Sequence, residues 1–298
     1  MHSNRQTLPI LLFASLLGLG ACGPEFLEAG DGAETPLDAG LHDAGEADFD
    51  AGEASEDGGR DDGADASLPE PDAGEPAADA GPLPYAHLDP LRESALEAAL
   101  YDLVKNHTSL SYDDGSKVVM AGPGGFDVID GKVECIYTGQ LFSPNQIDRE
   151  GGFNMEHSWP KSDGAGNRPA ESDLHHLFPS ERTINSYRSS LPFGDTPCTS
   201  DCRVEAGGSK LGMVAGGTSL VFQVRPERQG DIARAHFYFA VRYRMNIPSA
   251  EEAALRRWNL ADPPDDRERA RNLAIEVHQK KRNPFVERPD FVDRISDF

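Results

Sequence analysis

Side chains that could perform chemistry are concentrated in residues 153–194 of the 298-residue chain. This stretch contains potential metal ligands, a potential base and a cation suited to phosphate, namely Glu156, His157, Glu171, Asp173, His175, His176, Asn185 and Arg188. Carboxylate and amide oxygens suit Mg²⁺, which keeps several waters and adds substrate phosphate oxygens to one or two protein ligands. Zn²⁺ would instead need cysteine or more histidine at one point. The stretch therefore indicates metal-assisted hydrolysis of phosphodiester bonds.

His157 has the properties of a general base. An unperturbed histidine has a pKa of about 6.5 and can take a proton from water near neutral pH. Its other ring nitrogen needs an acceptor, and a backbone carbonyl near Glu171 is the natural candidate. Because adjacent residues of a strand point to opposite faces, Glu156 and His157 can share a site only if the chain bends, and Trp159-Pro160 could supply the bend.

The local sequence predicts two strands on either side of a loop. Phe153–His157 is predicted as a strand that ends before Trp159-Pro160, because proline cannot donate to the ladder. Residues 162–169 are rich in Gly, Asn, Asp and Pro, which predicts a loop. Asp173–Phe178 is predicted as the second strand, stopped by Pro179.

A helix is predicted directly after these strands, with Ser180 as its N-cap and Arg188 near its end. Arg182, Asn185 and Arg188 follow at three-residue spacing and would lie on one face of that helix. If this face packs toward the first strand, Asn185 and Glu156 can offer oxygen atoms to one cation.

The pattern resembles the bacterial endonuclease I family, non-specific nucleases of the ββα-metal (His-Me finger) superfamily. The matching residues are Glu156-His157-Ser158-Trp159-Pro160, Ser172-Asp173-Leu174-His175-His176-Leu177, and Asn185 with Arg188-Ser189. Two later stretches, Gly230–Tyr243 and Lys281–Phe291, also resemble this family. The resemblance extends from about Leu91 to Phe298. It implies an α+β domain, residues 85–298, with a ββα-metal core and surrounding helices.

The resemblance also implies roles for individual residues. His157 would be the general base, and Glu156 and Asn185 would hold Mg²⁺, or alternatively Mn²⁺ or Ca²⁺. The family places an arginine on the scissile phosphate, a role that we assign to Arg168 because it is the arginine of the loop. Arg188 would support the site or contact phosphate. From the residues themselves, Glu171, Asp173, His175 and His176 are predicted to support the site from behind its ligands. His175 and His176 would point to opposite faces of their strand, so one of them would support the site and the other would pack in the core, and the sequence leaves open which.

The implied reaction is an in-line attack of water on phosphorus that leaves 5′-phosphate ends. We expect a monomer that cuts DNA, and RNA as well, with little sequence preference, because contacts to the nucleic-acid backbone carry no sequence information. Two alternatives stay open at this point. One is a sequence-specific HNH endonuclease, and the other is an inactive surface lipoprotein that acts as a binding module.

The N-terminus has the pattern of an export signal. Arg5 precedes an apolar run, Ile10–Leu19, that is short for a membrane span and typical of a signal peptide. Leu19-Gly20-Ala21-Cys22 resembles the bacterial lipobox, after which Cys22 is lipidated and becomes the mature N-terminus. We therefore predict a lipoprotein signal peptide at 1–22 and an outer-membrane or cell-surface lipoprotein. A plain signal peptide with an incidental cysteine is the alternative.

The segment between the signal and the predicted domain, residues 23–84, is rich in Ala, Gly, Asp, Glu and Pro. Residues 1–82 hold 2 basic and 19 acidic side chains and account for −17 of the net charge of −23. Low hydrophobicity with like charges predicts a disordered, self-repelling tether. The remaining net charge of −6 means that bulk charge does not argue for nucleic-acid binding.

Three cysteines remain after export. Cys198 and Cys202 enclose a short turn and could form a disulfide in an exported protein, which would leave Cys135 free and buried. A zinc site is the competing interpretation, but it lacks two further ligands nearby.

Weaker patterns complete the prediction. Helices are predicted at 91–106, 231–245, 249–258 and 262–280, and strands at 117–120, 126–129, 133–137 and 219–224. Ser249 and Glu252 form a predicted capping box. Ala206–Gly217 is predicted as a flexible loop, and His107 as a surface residue.

Overall fold

A computed structural model describes residues 83–298 of the chain. These residues form short antiparallel sheets and helices around an apolar core, which confirms the α+β class. The predicted signal peptide with Cys22, and the predicted tether up to residue 82, lie outside the described residues. Between residues 83 and 298, no helix combines the length and the apolar character that a membrane span requires.

The secondary structure alternates between short strands and helices along the chain. The helices are α1 (Glu93–Val104), α2 (Val118–Ala121), α3 (Arg182–Arg188), α4 (Gln229–Tyr243), α5 (Ser249–Ala261), α6 (Asp266–Gln279) and α7 (Pro284–Glu287). The strands are β1 (Val128–Ile129), β2 (Lys132–Glu134), β3 (Leu141–Phe142), β4 (Phe153–His157), β5 (Leu177–Glu181), β6 (Val204–Ala206), β7 (Ser209–Met213) and β8 (Leu220–Gln223). They form three antiparallel sheets, β1-β2-β3, β4-β5 and β6-β7-β8.

The region predicted as a strand at 117–120 is helical. A π-helical turn, Tyr112–Lys117, continues directly into α2. Lys117 forms an ion pair with Asp113, four residues earlier, which is a helical spacing. Met120 and Ala121 are buried in the core. The prediction was wrong because periodicity does not separate a strand from a helix in a short apolar run.

The segment predicted as a flexible loop, Ala206–Gly217, contains a β-hairpin. Ala206 pairs with Ser209, so Gly207 and Gly208 form a two-residue turn between β6 and β7. Both glycines have positive φ, 57° and 90°. Two-residue hairpin turns favour this conformation at both positions, and glycine adopts it without strain. The glycine pair was thus a hairpin signal rather than a sign of flexibility.

Helix α4 forms the centre of the core. Residues 229–241 of this helix are all buried, including Phe237, Tyr238 and Phe239, and α4 packs against α1, α5 and α7. Its one fully buried cation, Arg234, is paired with Glu268 of α6. A helix that is buried on all sides needs such compensation for every charge that it carries inward.

Helix α5 begins at Ser249 as predicted but with a different cap, and α6 begins later than predicted. The N-cap of α5 is Pro248, so the predicted capping box of Ser249 and Glu252 does not form, and the Glu252 carboxylate binds Arg256 instead. Helix α6 begins at Asp266 rather than near residue 262, because the Asp265 side chain accepts from the Glu268 backbone N–H at 2.7 Å.

The cysteines are arranged as predicted. Cys198 and Cys202 form a disulfide, and Cys135 is free and buried.

Candidate active site

The candidate site is built on β4, β5 and α3, which follow one another as two antiparallel strands and a helix. The second strand differs from its prediction: residues 174–176 form a 3₁₀ turn, and β5 continues through Pro179 to Glu181. The Pro179 carbonyl accepts from the Ile136 N–H at 2.9 Å, on the side away from β4. Because the N–H and carbonyl of a strand residue point to the same side, the N–H position of this proline also faces away from β4. The missing N–H of this proline therefore removes no bond of the β4–β5 ladder.

Helix α3 is capped by Glu181, one residue after the predicted Ser180. The two carboxylate oxygens of Glu181 accept from the Thr183 and Ile184 backbone N–H groups at 2.8 and 2.9 Å. These bonds satisfy N–H groups that a helix start otherwise leaves without a partner. Because β5 ends at Glu181 and α3 begins at Arg182, the helix follows the strand without an intervening loop.

The amide of Asn185 is held next to the first strand. Its Nδ2 donates to Asn154 Oδ1 at 2.8 Å. Asn154 and Glu156 are two residues apart on β4 and therefore share a face of the strand. Glu156, His157, Asn185 and Arg188 accordingly line one open pocket of about 320 Å³.

Glu156 is a buried carboxylate, and two side chains donate hydrogen bonds to one of its oxygens. Its Oε1 accepts from the Tyr137 hydroxyl at 2.7 Å and from Arg188 Nη1 at 2.8 Å. Burial raises the pKa of Glu156, and the contacts with Arg188 and Tyr137 act in the opposite direction. Between residues 83 and 298, no side chain donates a hydrogen bond to Oε2, and the His157 backbone N–H also acts to lower the pKa of this carboxyl. Tyr137 was missed by the sequence prediction, because a tyrosine in a predicted strand carries no signal for this contact.

The donor set in the pocket suits a hard divalent cation. Glu156 Oε2 and Asn185 Oδ1 accept no hydrogen bond from a side chain of the described residues, and both residues line the same pocket. One carboxylate oxygen and one amide oxygen would supply only part of the coordination shell of such a cation, and water and phosphate oxygens would supply the rest. Within residues 83–298 no group of three or more His, Cys, Asp or Glu side chains could hold a metal ion. Carboxylate and amide oxygens are donors that hard cations such as Mg²⁺ prefer.

His157 has one ring nitrogen fixed and the other unused. Its Nε2 donates to the Glu171 carbonyl oxygen at 2.9 Å, as predicted, which assigns the neutral tautomer with an acceptor at Nδ1. The ring packs against Tyr112 and His176, with centroids 5.1 and 5.4 Å away. Burial lowers the pKa of His157 to about 3, and the His176 ring acts in the same direction. The imidazole is therefore uncharged at neutral pH, with Nδ1 unprotonated.

The two adjacent histidines support different parts of the site. His176 donates from Nε2 to the Ala170 carbonyl oxygen at 2.8 Å, and the edge of its ring contacts His157. His175 lies on the other side, where Nε2 donates to the Lys281 carbonyl oxygen at 3.1 Å and the ring packs on Tyr238. His176 thus contacts the candidate base, and His175 ties the site to the C-terminal segment.

Asp173 anchors this segment to helix α4. Its Oδ2 accepts from the hydroxyls of Tyr238 and Tyr243 at 3.0 and 2.8 Å. Its Oδ1 accepts from the His175 backbone N–H, so Asp173 also caps the 3₁₀ turn. His107 lies 3.6 Å from the same carboxylate and is only 8% exposed, so its prediction as a surface residue was wrong.

Arg188 is buried and acts as a clamp, that is, it binds Glu156 and the backbone at the end of β4 at the same time. The side chain is 1% exposed, and its guanidinium donates to Glu156 Oε1 and to the carbonyl oxygens of His157 and Ser158. The guanidinium also lies 4.4 Å from the centre of the Phe193 ring. These contacts hold the chain where it bends after β4, at residues 158–159. Glu156 and His157 both line the pocket although they are adjacent in a strand.

Arg168 lies outside the residues that line the pocket. Its exposed side chain makes long contacts of 3.4 and 3.5 Å to Ser109. The structure therefore brings together Glu156, His157, Asn185 and Arg188 but not Arg168. It places Lys161 in the lining instead, a residue that the sequence prediction did not select.

Known proteins resemble this chain over most of the described region. A family model described as "Endonuclease I" matches residues 93–290. An extracellular ribonuclease of Bacillus subtilis (strain 168) is 31% identical over 247 residues, which cover 71% of this chain and 80% of that protein. An extracellular ribonuclease of Bacillus amyloliquefaciens is 31% identical over 68% of this chain and 74% of its own length. An extracellular deoxyribonuclease of Aeromonas hydrophila is 28% identical over 40% of this chain and 50% of its own.

We expect Arg188→Ala to lower the free energy of unfolding by about 3–5 kcal/mol, because it leaves the buried Glu156 carboxylate without its counter-charge. Urea unfolding followed by circular dichroism measures this loss. Arg182→Ala is the matched control on the same helix, since Arg182 is exposed and should change stability by less than about 0.5 kcal/mol. Equal stability of the two variants would show that the clamp contributes nothing.

Proposed function

Because the chain belongs to the endonuclease I family, we propose that it is an exported, metal-dependent nuclease that leaves 5′-phosphate ends and has little sequence preference. Its class is that of an endonuclease acting on nucleic acid. Both DNA and RNA are proposed as substrates, which the names of the relatives support, since two are called ribonucleases and one a deoxyribonuclease. The proposed nuclease domain is residues 85–298, with β4, β5 and α3 as its ββα-metal core.

The arrangement of His157 is the observation that carries this proposal. Its Nε2–H is bound to the Glu171 carbonyl oxygen, and its ring lines the same pocket as Glu156 and Asn185. A ring held in this way needs no reorientation to accept a proton at Nδ1. In the proposed reaction His157 takes the proton of a water molecule as that water attacks phosphorus in line with the 3′ oxygen.

Glu156 and Asn185 are proposed to hold the divalent cation, Mg²⁺ or alternatively Mn²⁺ or Ca²⁺, through Glu156 Oε2 and Asn185 Oδ1. When bound, it would neutralise charge that develops on the phosphate and on the leaving 3′ oxygen. Arg188 positions these groups through its bonds to Glu156 Oε1 and the His157 carbonyl oxygen. A bound cation would also favour the ionised form of Glu156, which burial alone disfavours.

Four other residues are proposed to hold the site in place. The carbonyl of Glu171 orients His157, the His176 ring packs beside it, and Asp173 and His175 fasten the intervening segment to α4 and the C-terminal segment. The contact of Arg168 with the scissile phosphate stays a prediction from the family resemblance, since this side chain contacts Ser109 here.

Export is proposed because all three relatives are named as extracellular enzymes. The signal pattern at 1–22 and the lipidation of Cys22 extend this proposal to an anchored protein at the outer membrane or cell surface, with residues 23–84 as the tether. A monomer is proposed as the active form.

Nicking of supercoiled plasmid tests the proposed function directly. With Mg²⁺ the purified protein should nick and linearise the plasmid, and excess EDTA should stop the reaction. His157→Ala should lower kcat by roughly 10²–10⁴-fold, because it removes the proposed base. His87→Ala, at an exposed histidine far from the motif in sequence, is the control. Near-normal cleavage by His157→Ala would refute the base assignment, and cleavage that EDTA does not affect would refute the metal dependence.

The low pKa of His157 leads to a pH prediction. Since burial lowers this pKa to about 3, the ring stays neutral, with Nδ1 unprotonated, well below pH 6.5. We expect kcat/KM to show no acid limb with a midpoint near 6.5. The rate should be measured from pH 5 to 8 at metal concentrations high enough that further metal has no effect, because protons compete with the metal for Glu156. A midpoint near 6.5 would show that the base has an ordinary, solvated pKa.

A further inference from the structure

The pocket is lined by two cationic side chains of the described region, Arg188 and Lys161. Arg188 is 1% exposed, and its guanidinium is committed to Glu156 and to backbone carbonyl oxygens. Lys161 differs, because its side chain is 48% exposed. It follows directly after Pro160, which also lines the pocket. A phosphate entering the pocket would therefore meet Lys161 as the accessible positive charge.

Lys161 is held in place by two contacts. Its Nζ donates to Glu171 Oε1 at 2.7 Å, and the same ammonium lies 5.2 Å from the centre of the Tyr112 ring. That ring in turn packs on His157 at 5.1 Å. Tyr112 thus connects the lysine to the candidate base, and both side chains line the same pocket.

We propose that Lys161 binds the scissile phosphate, with Glu171 and Tyr112 holding its ammonium beside His157. This inference rests on the proposed nuclease function and adds a substrate contact to it. The Lys161–Glu171 pair is partly exposed and therefore weak, so phosphate can join or replace the Glu171 carboxylate at little cost. The carbonyl of Glu171 meanwhile keeps its bond to His157, so one residue holds the base through its backbone and the phosphate-binding cation through its side chain.

Lys161→Ala tests the contact. We expect kcat/KM to fall roughly ten- to hundredfold, as for the loss of a charged hydrogen bond to substrate. The slope of log(kcat/KM) against log[salt] should become shallower by about one, since one phosphate contact is lost. Lys161→Arg should restore most of the rate. Lys132→Ala, at an exposed lysine of β2, is the control and should match the wild type.

A small diester separates the scissile phosphate from its neighbours. Bis(p-nitrophenyl) phosphate contains one phosphate and no bases, so Lys161→Ala should slow its hydrolysis by a factor similar to that for nucleic acid. Loss with nucleic acid but not with this diester would overturn the assignment to the scissile phosphate.

Glu171→Gln distinguishes binding from a structural role. This change keeps the backbone carbonyl that orients His157 and removes the negative charge beside Lys161. The new amide oxygen can still accept the hydrogen bond from Lys161 but competes less with phosphate. If Lys161 binds phosphate, KM for nucleic acid should therefore fall or stay equal, whereas Lys161→Ala should raise it. A matching loss in both variants, with unchanged melting temperatures, would show that the ion pair orders the pocket and would overturn the proposal. If the wild type cleaves neither nucleic acid nor the diester, the proposed function itself fails.

Discussion

The buried ion pair between Arg188 and Glu156 is the interaction on which the rest of the site depends. A carboxylate that is 3% exposed is costly unless its charge and hydrogen bonds are matched, and Arg188 and Tyr137 match one oxygen of it. The same guanidinium binds the carbonyl oxygens of His157 and Ser158, so it also fixes the chain direction after β4. One side chain therefore orients the proposed metal ligand and the proposed base together.

This constraint explains why the two cationic side chains that line the pocket, Arg188 and Lys161, have different environments. A guanidinium used to stabilise a buried carboxylate cannot also move toward substrate without leaving that carboxylate unpaired. Phosphate binding then needs another positive charge, and Lys161 supplies one in a setting where its ion pair is partly exposed and therefore weak. The net charge of −6 for residues 83–298 is compatible with this arrangement, because the cation that matters is local to the pocket.

The second requirement of the site is a rigid support for the segment that connects the two strands. Asp173 is fastened to Tyr238 and Tyr243 of α4, and His175 reaches the C-terminal segment near Lys281. The resemblance of the later stretches to the same family thus has a physical basis. Helix α4 and the C-terminal segment hold residues 170–176, whose carbonyl at Glu171 orients His157.

Local sequence patterns specified most of the strands and helices around the site and the candidate site residues. Strand Phe153–His157, helices α1, α4 and α5, and the combination of Glu156, His157, Asn185 and Arg188 follow from periodicity, proline positions and joint motifs, which are local properties. The end of β5 was predicted wrongly, because Pro179 was expected to stop the strand. The direction of the Pro179 carbonyl, which shows why the strand continues, depends on its contact with Ile136. Only the tertiary structure shows three other features of the site. These are the contact of Tyr137 with Glu156, the burial of Arg188 and the position of Lys161 in the pocket. The physical reason is that a side chain's charge state and freedom to meet substrate depend on partners distant in sequence, which no local pattern specifies.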